Sequence, residues 1–163
     1  MNLNILFASM LVLAPLSGMA LAHESKAPAK VAAAQVNEKA KPAIAVVDQF
    51  SAAMKAGDLD RAGGLLADDV LILESGGAEH SRKEYLAGHA VHDAAFLKNA
   101  HVQITRRTAR MEGKVTWVGT ESELHSSKDG KPLTMLSTET MVLRQTQAGW
   151  RITHIHWSSR PKR

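Results

Sequence analysis

Apolar positions change their period part-way along this chain. In the first half they recur at helical spacing: Ile44, Val47, Phe50 and Met54 predict a helix that Gly57 closes as a C-terminal cap. Asp58 caps a second, shorter helix burying Leu59, Ala62 and Leu65 or Leu66, weakened by Gly63-Gly64. Val70 to Leu73 reads as a short buried strand ending at Glu74, with Ser75-Gly76-Gly77 as a turn. Ser81-Arg82-Lys83-Glu84 is a capping box that starts a third helix running to about Asn99.

Beyond that point the period becomes two. Four strands are predicted, at about 101–111, 114–126, 133–146 and 150–159. Glu112-Gly113, Lys128-Asp129-Gly130-Lys131 and Ala148-Gly149 supply the turns, and Asp-Gly between extended runs marks a hairpin. Strands of this length must twist and curl. Helices placed ahead of a curling antiparallel meander cover its concave face, so the predicted fold class is α+β in one domain.

The N-terminus belongs to another category. Ile5 to Leu21 is almost wholly apolar and ends in Ala20-Leu21-Ala22, the layout of a signal peptide cleaved after Ala22, although Met1 to Asn4 lacks Lys and Arg. Ser9, Pro15, Ser17 and Gly18 make the run a poor membrane span. The expected address is periplasmic or secreted, with no membrane attachment after cleavage. Residues 23–42, rich in Ala and Lys, read as a flexible linker, 43–160 as the domain and 161–163 as a basic tail.

Composition narrows the chemistry. There is no cysteine, so neither a disulfide nor a thiolate metal site is available, and any metal must use His, Asp or Glu. The net charge of +4 is scattered apart from Arg106-Arg107 and the Arg160 to Arg163 tail. Aromatic residues are only 4%, too few for stacking platforms, so nucleic acid is not an expected partner.

Ala43 to Arg160 resembles the nuclear-transport-factor-2-like superfamily, in its SnoaL-like and ketosteroid-isomerase-like branch. The resemblance is carried by the helix Ala45 to Phe50, the Gly57-Asp58 junction, Leu66-Ala67-Asp68-Asp69-Val70 and, most specifically, Gly149 to Ser159. It implies a cone-shaped curved sheet enclosing a pocket, often in a dimer joined through the outer sheet face. It does not imply one activity, because this fold hosts isomerases, dehydratases, binding modules and assembly domains. Tyr85 suits a hydrogen-bond donor of the steroid-isomerase kind, but the remaining residues do not match that constellation.

Strict alternation puts Trp150, Ile152, His154, His156 and Ser158 on one face of the last strand, and the resemblance places that face inside the cone. On the third helix Tyr85, His89, His92 or Asp93, and Phe96 share a stripe. His89, Asp93, His154 and His156 thus form a candidate site for a divalent metal such as zinc, copper or nickel. The same His89–Asp93 pair, with Tyr85, is a candidate general base. Glu74, Phe96, Trp117, Met141 and Trp150 are candidate ligand contacts. Ile155 and Trp157 fall on the outer face, where they predict a homodimer contact. A mature N-terminus at His23 would chelate copper(II) weakly. Three readings follow: an exported pocket protein for a small molecule or metal, a small lyase or isomerase acting on an apolar substrate, or a non-catalytic dimeric assembly domain whose histidines fill the core.

Overall fold

The computed structural model describes residues 36–163. The predicted signal peptide, His23 and most of the predicted linker lie outside the described residues. Regular structure is already present ahead of the predicted boundary at Ala43: Asn37 accepts a hydrogen bond from the Lys39 amide and caps a short 3-10 turn over Glu38–Ala40.

That turn runs into helix α1 (Lys41–Ala56), which Gly57 ends in the left-handed conformation at φ 73°. Asp58 then caps α2 (Leu59–Leu65) by accepting from the Arg61 amide at 3.0 Å. Strand β1 (Leu66–Glu74) is longer than its apolar run suggested. The turn at Ser75-Gly76 leads into a short strand, β2 (Gly77–Glu79), that hydropathy did not disclose. The Ser81 hydroxyl caps α3 (Arg82–Ala87) through the Glu84 amide, while Glu84 Oε2 accepts from the His80 amide at 2.7 Å. The predicted third helix is in fact two, broken where Gly88 takes φ −127° and ψ −103° before α4 (His89–Asn99). The meander follows as β3 (His101–Glu112), β4 (Val115–Lys128), β5 (Lys131–Thr146) and β6 (Gly149–Pro161).

These form one curved, unclosed six-stranded sheet in the order β2-β1-β6-β5-β4-β3. Strand β1 lies parallel to β6, so the earliest strand docks beside the last. Cross-strand rows on the concave face define the core. Ile72, Ile155, Met141, Val118 and Ala109 align across five strands, and each is at most 1% exposed. Val47, Phe50, Ala53 and Met54 of α1 cover this sheet, joined by Tyr85, Ala90 and Ala94. Burying side chains of this size contributes about 1.5–3 kcal/mol each for the larger ones.

One irregularity decides which residues face the core. Val142 pairs with His154 but Leu143 pairs with Ile152, which leaves Thr153 as an extra residue in β6. Its hydroxyl donates to the Val142 carbonyl at 3.1 Å. This β-bulge resets the alternation. Trp150 and Ile152 face inward as predicted, but beyond Thr153 it is Ile155 and Trp157 that point into the concave face. His154 and His156 point out. The predicted outer pair and the predicted inner pair therefore exchange places.

Candidate functional site

Beside the apolar row, the next row toward the open end of the sheet is polar. Glu74, Trp157, Glu139, Thr120 and Arg107 stand side by side on β1, β6, β5, β4 and β3. A second row, Ser159, Ser137, Ser122 and Ile104, follows, and then Met135, Leu124 and Val102. A bulge at Thr105 brings Ile104 into line with Arg107 on this face. These rows floor a cavity of about 570 Å³, roofed by Phe50, Ser51, Met54 and Lys55 of α1 and by Asp93, Phe96 and Leu97 of α4.

Two clusters of ionisable groups face this space. In the first, the fully buried Tyr85 donates its hydroxyl to Asp93 Oδ2 at 2.9 Å, and its oxygen also meets Met54 Sδ at 3.9 Å. Burial raises the Asp93 pKa above the ordinary aspartate range, and the Tyr85 hydrogen bond pulls the other way. Glu74 is raised too, first by burial and then by the negative charge of Asp93. Burial and the Asp93 carboxylate push Tyr85 upward, which keeps it a neutral donor. In the second cluster, Glu139 Oε2 accepts from Trp157 Nε1 at 2.9 Å. Burial raises its pKa, against the Trp157 hydrogen bond and the Arg107 charge. Arg107 itself is committed to Asp48 at 2.5 Å and to the Thr120 hydroxyl at 3.3 Å.

Trp157 links the clusters. Its ring stacks on Phe50 at 6.5 Å between centroids and tilts against Tyr85 at 6.2 Å.

The structure brings together Glu74, Tyr85, Asp93 and Phe96 from the sequence-derived candidates. The others lie elsewhere. His89 is largely exposed and turns to the buried Glu79 carboxylate, whose hydrogen bond and charge raise its pKa and favour imidazolium. His154 Nδ1–H donates to the Leu71 carbonyl at 2.9 Å on the outer face, and His156 is exposed there. His89, Asp93, His154 and His156 therefore do not converge, because the Thr153 bulge sends the two strand imidazoles to the opposite side of the sheet. No group of three or more His, Asp or Glu suited to a metal occurs among the described residues. Trp117 is also on the outer face, under the Arg110 guanidinium at 5.9 Å. Met141 and Trp150 are buried in the core and do not line the cavity. Sequence reasoning missed Glu139, Arg107, Trp157 and Phe50 as wall residues. The parity of Thr120, Glu139 and Arg107 was legible, but only the paired register shows that they form one row.

Residues 44–161 match the family described as the SnoaL-like domain. The chain belongs to this family. Its SnoaL-like domain has the cone fold of the nuclear-transport-factor-2-like superfamily. A crystallised protein of Shewanella frigidimarina NCIMB 400, named as a candidate ketosteroid isomerase, is 31% identical. That alignment covers 76% of this chain and 100% of that one, with a TM-score of 0.71. The CaMKII hub of S. rosetta is 20% identical over 74% of this chain and 95% of its own, at a TM-score of 0.61. A candidate dehydratase of the NTF2-like family from Streptomyces avermitilis is 20% identical over 72% and 93%, at 0.58. The last two share the fold. No curated protein matches the chain.

Proposed function

We propose that the SnoaL-like domain binds a small, largely apolar molecule in its cavity and moves a proton on it, with Glu74 and Asp93 as the exchanging carboxyls. The observation that carries this reading is their convergence, with Tyr85 bonded to Asp93, in a cavity whose apolar lining includes Phe50, Met54, Phe96, Leu97, Val102, Leu124 and Met135. Two carboxyls that share a desolvated site resist joint ionisation, so one holds a proton while the other accepts one. Tyr85 fixes the orientation of Asp93. His89 stands on the solvent side, tied to Glu79, so the base is a carboxylate in place of the His–Asp pair read from the helix. The names of the Shewanella frigidimarina and Streptomyces avermitilis proteins agree with proton chemistry of this kind.

The test uses a bicyclic ketone, β-tetralone, whose α-hydrogens exchange measurably in heavy water. Wild-type protein is expected to accelerate the exchange seen by NMR, and Glu74→Gln and Asp93→Asn to lose about 10²–10⁴-fold of that acceleration. Binding is followed separately with 2-naphthol fluorescence. Binding without any acceleration reduces the protein to a ligand carrier, and absence of both ends the reading.

The chain is also proposed to be exported, on the strength of Ile5 to Ala22, and N-terminal sequencing of the mature protein checks cleavage after Ala22. As for association, the outer sheet face carries partly exposed Leu71, Leu73, Trp117, Leu136 and Val142, while Ile155 and Trp157 are taken up inside. We propose this revised patch as the surface of a homodimer, the oligomeric CaMKII hub being a precedent for association on this fold.

A further inference from the structure

We propose that Glu139 is a second proton-transfer group, set across Trp157 from Glu74, so that a bound β-hydroxy carbonyl compound loses a carbon-bound proton on one side and water on the other. This rests on the cavity and carboxyl reading above and extends it to a second residue and a substrate class.

The geometry comes from one row of the sheet. Glu74 pairs with Trp157 and Trp157 pairs with Glu139, all three on the cavity face. Neighbouring strands are about 4.8 Å apart, so the two glutamates stand about 10 Å apart at their Cα atoms, with the indole between. That is roughly the breadth of a small ring compound, which both side chains can reach from opposite sides. The indole is a fixed divider, held at its N–H by Glu139 and on its face by Phe50.

Glu139 is also a carboxyl without a cation of its own. The nearby guanidinium of Arg107 bonds Asp48 and Thr120, and no ion pair to Glu139 occurs among the described residues. A carboxyl buried on those terms is favoured in its neutral form, and burial does raise its pKa. A neutral acid facing a cavity is a proton donor.

Its surroundings suit a departing hydroxyl. Ser137 is two residues away on the same face of β5, and Thr120 and Ser122 stand beside them on β4. The Glu74 side offers the Asp93 carboxyl instead. The polar end therefore accommodates water, and the Glu74 and Asp93 carboxyls meet the acidic carbon.

The step balances as an elimination. The Glu74 carboxylate takes the proton from the carbon next to the carbonyl, and that C–H electron pair becomes the new C=C bond. The C–O bond at the next carbon breaks, its oxygen takes the proton of Glu139, and water leaves. Glu139 is left as carboxylate and Glu74 as acid; exchange with solvent restores both. No oxidant, reductant or further reactant is needed.

The probe is the β-hydroxy ketone formed from benzaldehyde and acetone, whose dehydration to benzylideneacetone is read by ultraviolet absorption. Glu139→Gln keeps a carbonyl oxygen for the Trp157 N–H but has no proton to give. It is expected to lower kcat by about 10²–10⁴-fold with little change in KM. Trp157→Phe removes the indole donor but keeps the Glu139 carboxyl, and is expected to retain far more of kcat. The β-tetralone exchange, which has no hydroxyl to protonate, should fall far less than dehydration in Glu139→Gln. Retained dehydration by Glu139→Gln, or equal losses in dehydration and exchange, overturns the assignment of Glu139 while leaving Glu74 and Asp93 in place. Failure of the wild-type protein to dehydrate the probe overturns the proposal too, and then the exchange assay alone judges the parent reading.

Discussion

Replacing Tyr85 by Phe removes a single oxygen from a side chain that is wholly buried. The ring keeps its packing against Trp157, so no cavity larger than a hydroxyl opens. What disappears is the bond to Asp93 at 2.9 Å and the contact with Met54. A hydrogen bond to a charged acceptor contributes about 1.5–3 kcal/mol, and one to a neutral acceptor about 0.5–1.5. Asp93 is only partly buried, so the lower end applies, about 1.5 kcal/mol for the carboxylate. The cost must therefore depend on the ionisation of Asp93. The hydrogen bond favours the carboxylate, hence its stabilisation is greatest above the Asp93 pKa and shrinks as pH falls through it.

Urea unfolding near pH 8 should accordingly show Tyr85→Phe destabilised by about 1 kcal/mol more than near pH 4. For a domain of this size that extra cost corresponds to roughly 3–5 °C in Tm. The control is the same substitution in an Asp93→Asn background. There the acceptor is neutral at every pH, and the cost should be small and flat. Equal destabilisation at both pH values in the protein that keeps Asp93 would refute the bond as drawn, as would a pH dependence that persists in the Asp93→Asn background.

Further outcomes can be stated together. The folded-state pKa values of Glu74, Asp93 and Glu139 are raised, so the native state holds protons that the unfolded chain releases, and stability falls as pH climbs through the raised values. His89 is raised as well; its contribution is complete below about 6.5 and is lost above its folded value, so Tm should be higher near pH 5 than near pH 8. Phe50→Ala empties a site that is 1% exposed and unseats Trp157, and should cost about 3–5 kcal/mol in urea unfolding. Ser81→Ala removes the cap of α3 and should cost about 1 kcal/mol, with the cavity otherwise intact. Trp117→Asp should turn a dimer into a monomer in sedimentation, whereas an already monomeric wild-type protein refutes the revised interface.

Much of the architecture was legible because its signals are local. Helix periodicity, the caps at Asp58 and Ser81, and the glycine turns each depend on neighbours within four residues. The site was less legible because it depends on pairing. A period of two tells which residues share a face only while the strand stays regular. One extra residue, Thr153, moved the imidazoles of His154 and His156 outward and Trp157 inward, and nothing in its side chain announces a bulge. Of the helix stripe, Tyr85 and Asp93 do meet, but Phe96 is 45% exposed, and the break at Gly88 and the counter-charge of Glu79 took His89 out of it. Glu79 sits on a strand of three residues, too short for any periodic signal.

The same bulge explains how an apolar sheet comes to hold paired acids. Without it, β6 would offer the cavity two imidazoles, and the indole that now separates Glu74 from Glu139 would lie on the outside. Imidazoles there would pair with the carboxylates and lower their pKa, which is the wrong direction for a neutral acid beside a base. An indole gives one neutral N–H, enough to orient Glu139 without supplying a positive charge. The sheet fixes the two glutamates on rigid strands, and the helix pair brings Asp93, oriented by Tyr85, from above. Placement by two independent elements lets the carboxyls stay close and desolvated, and the raised pKa values follow from that placement.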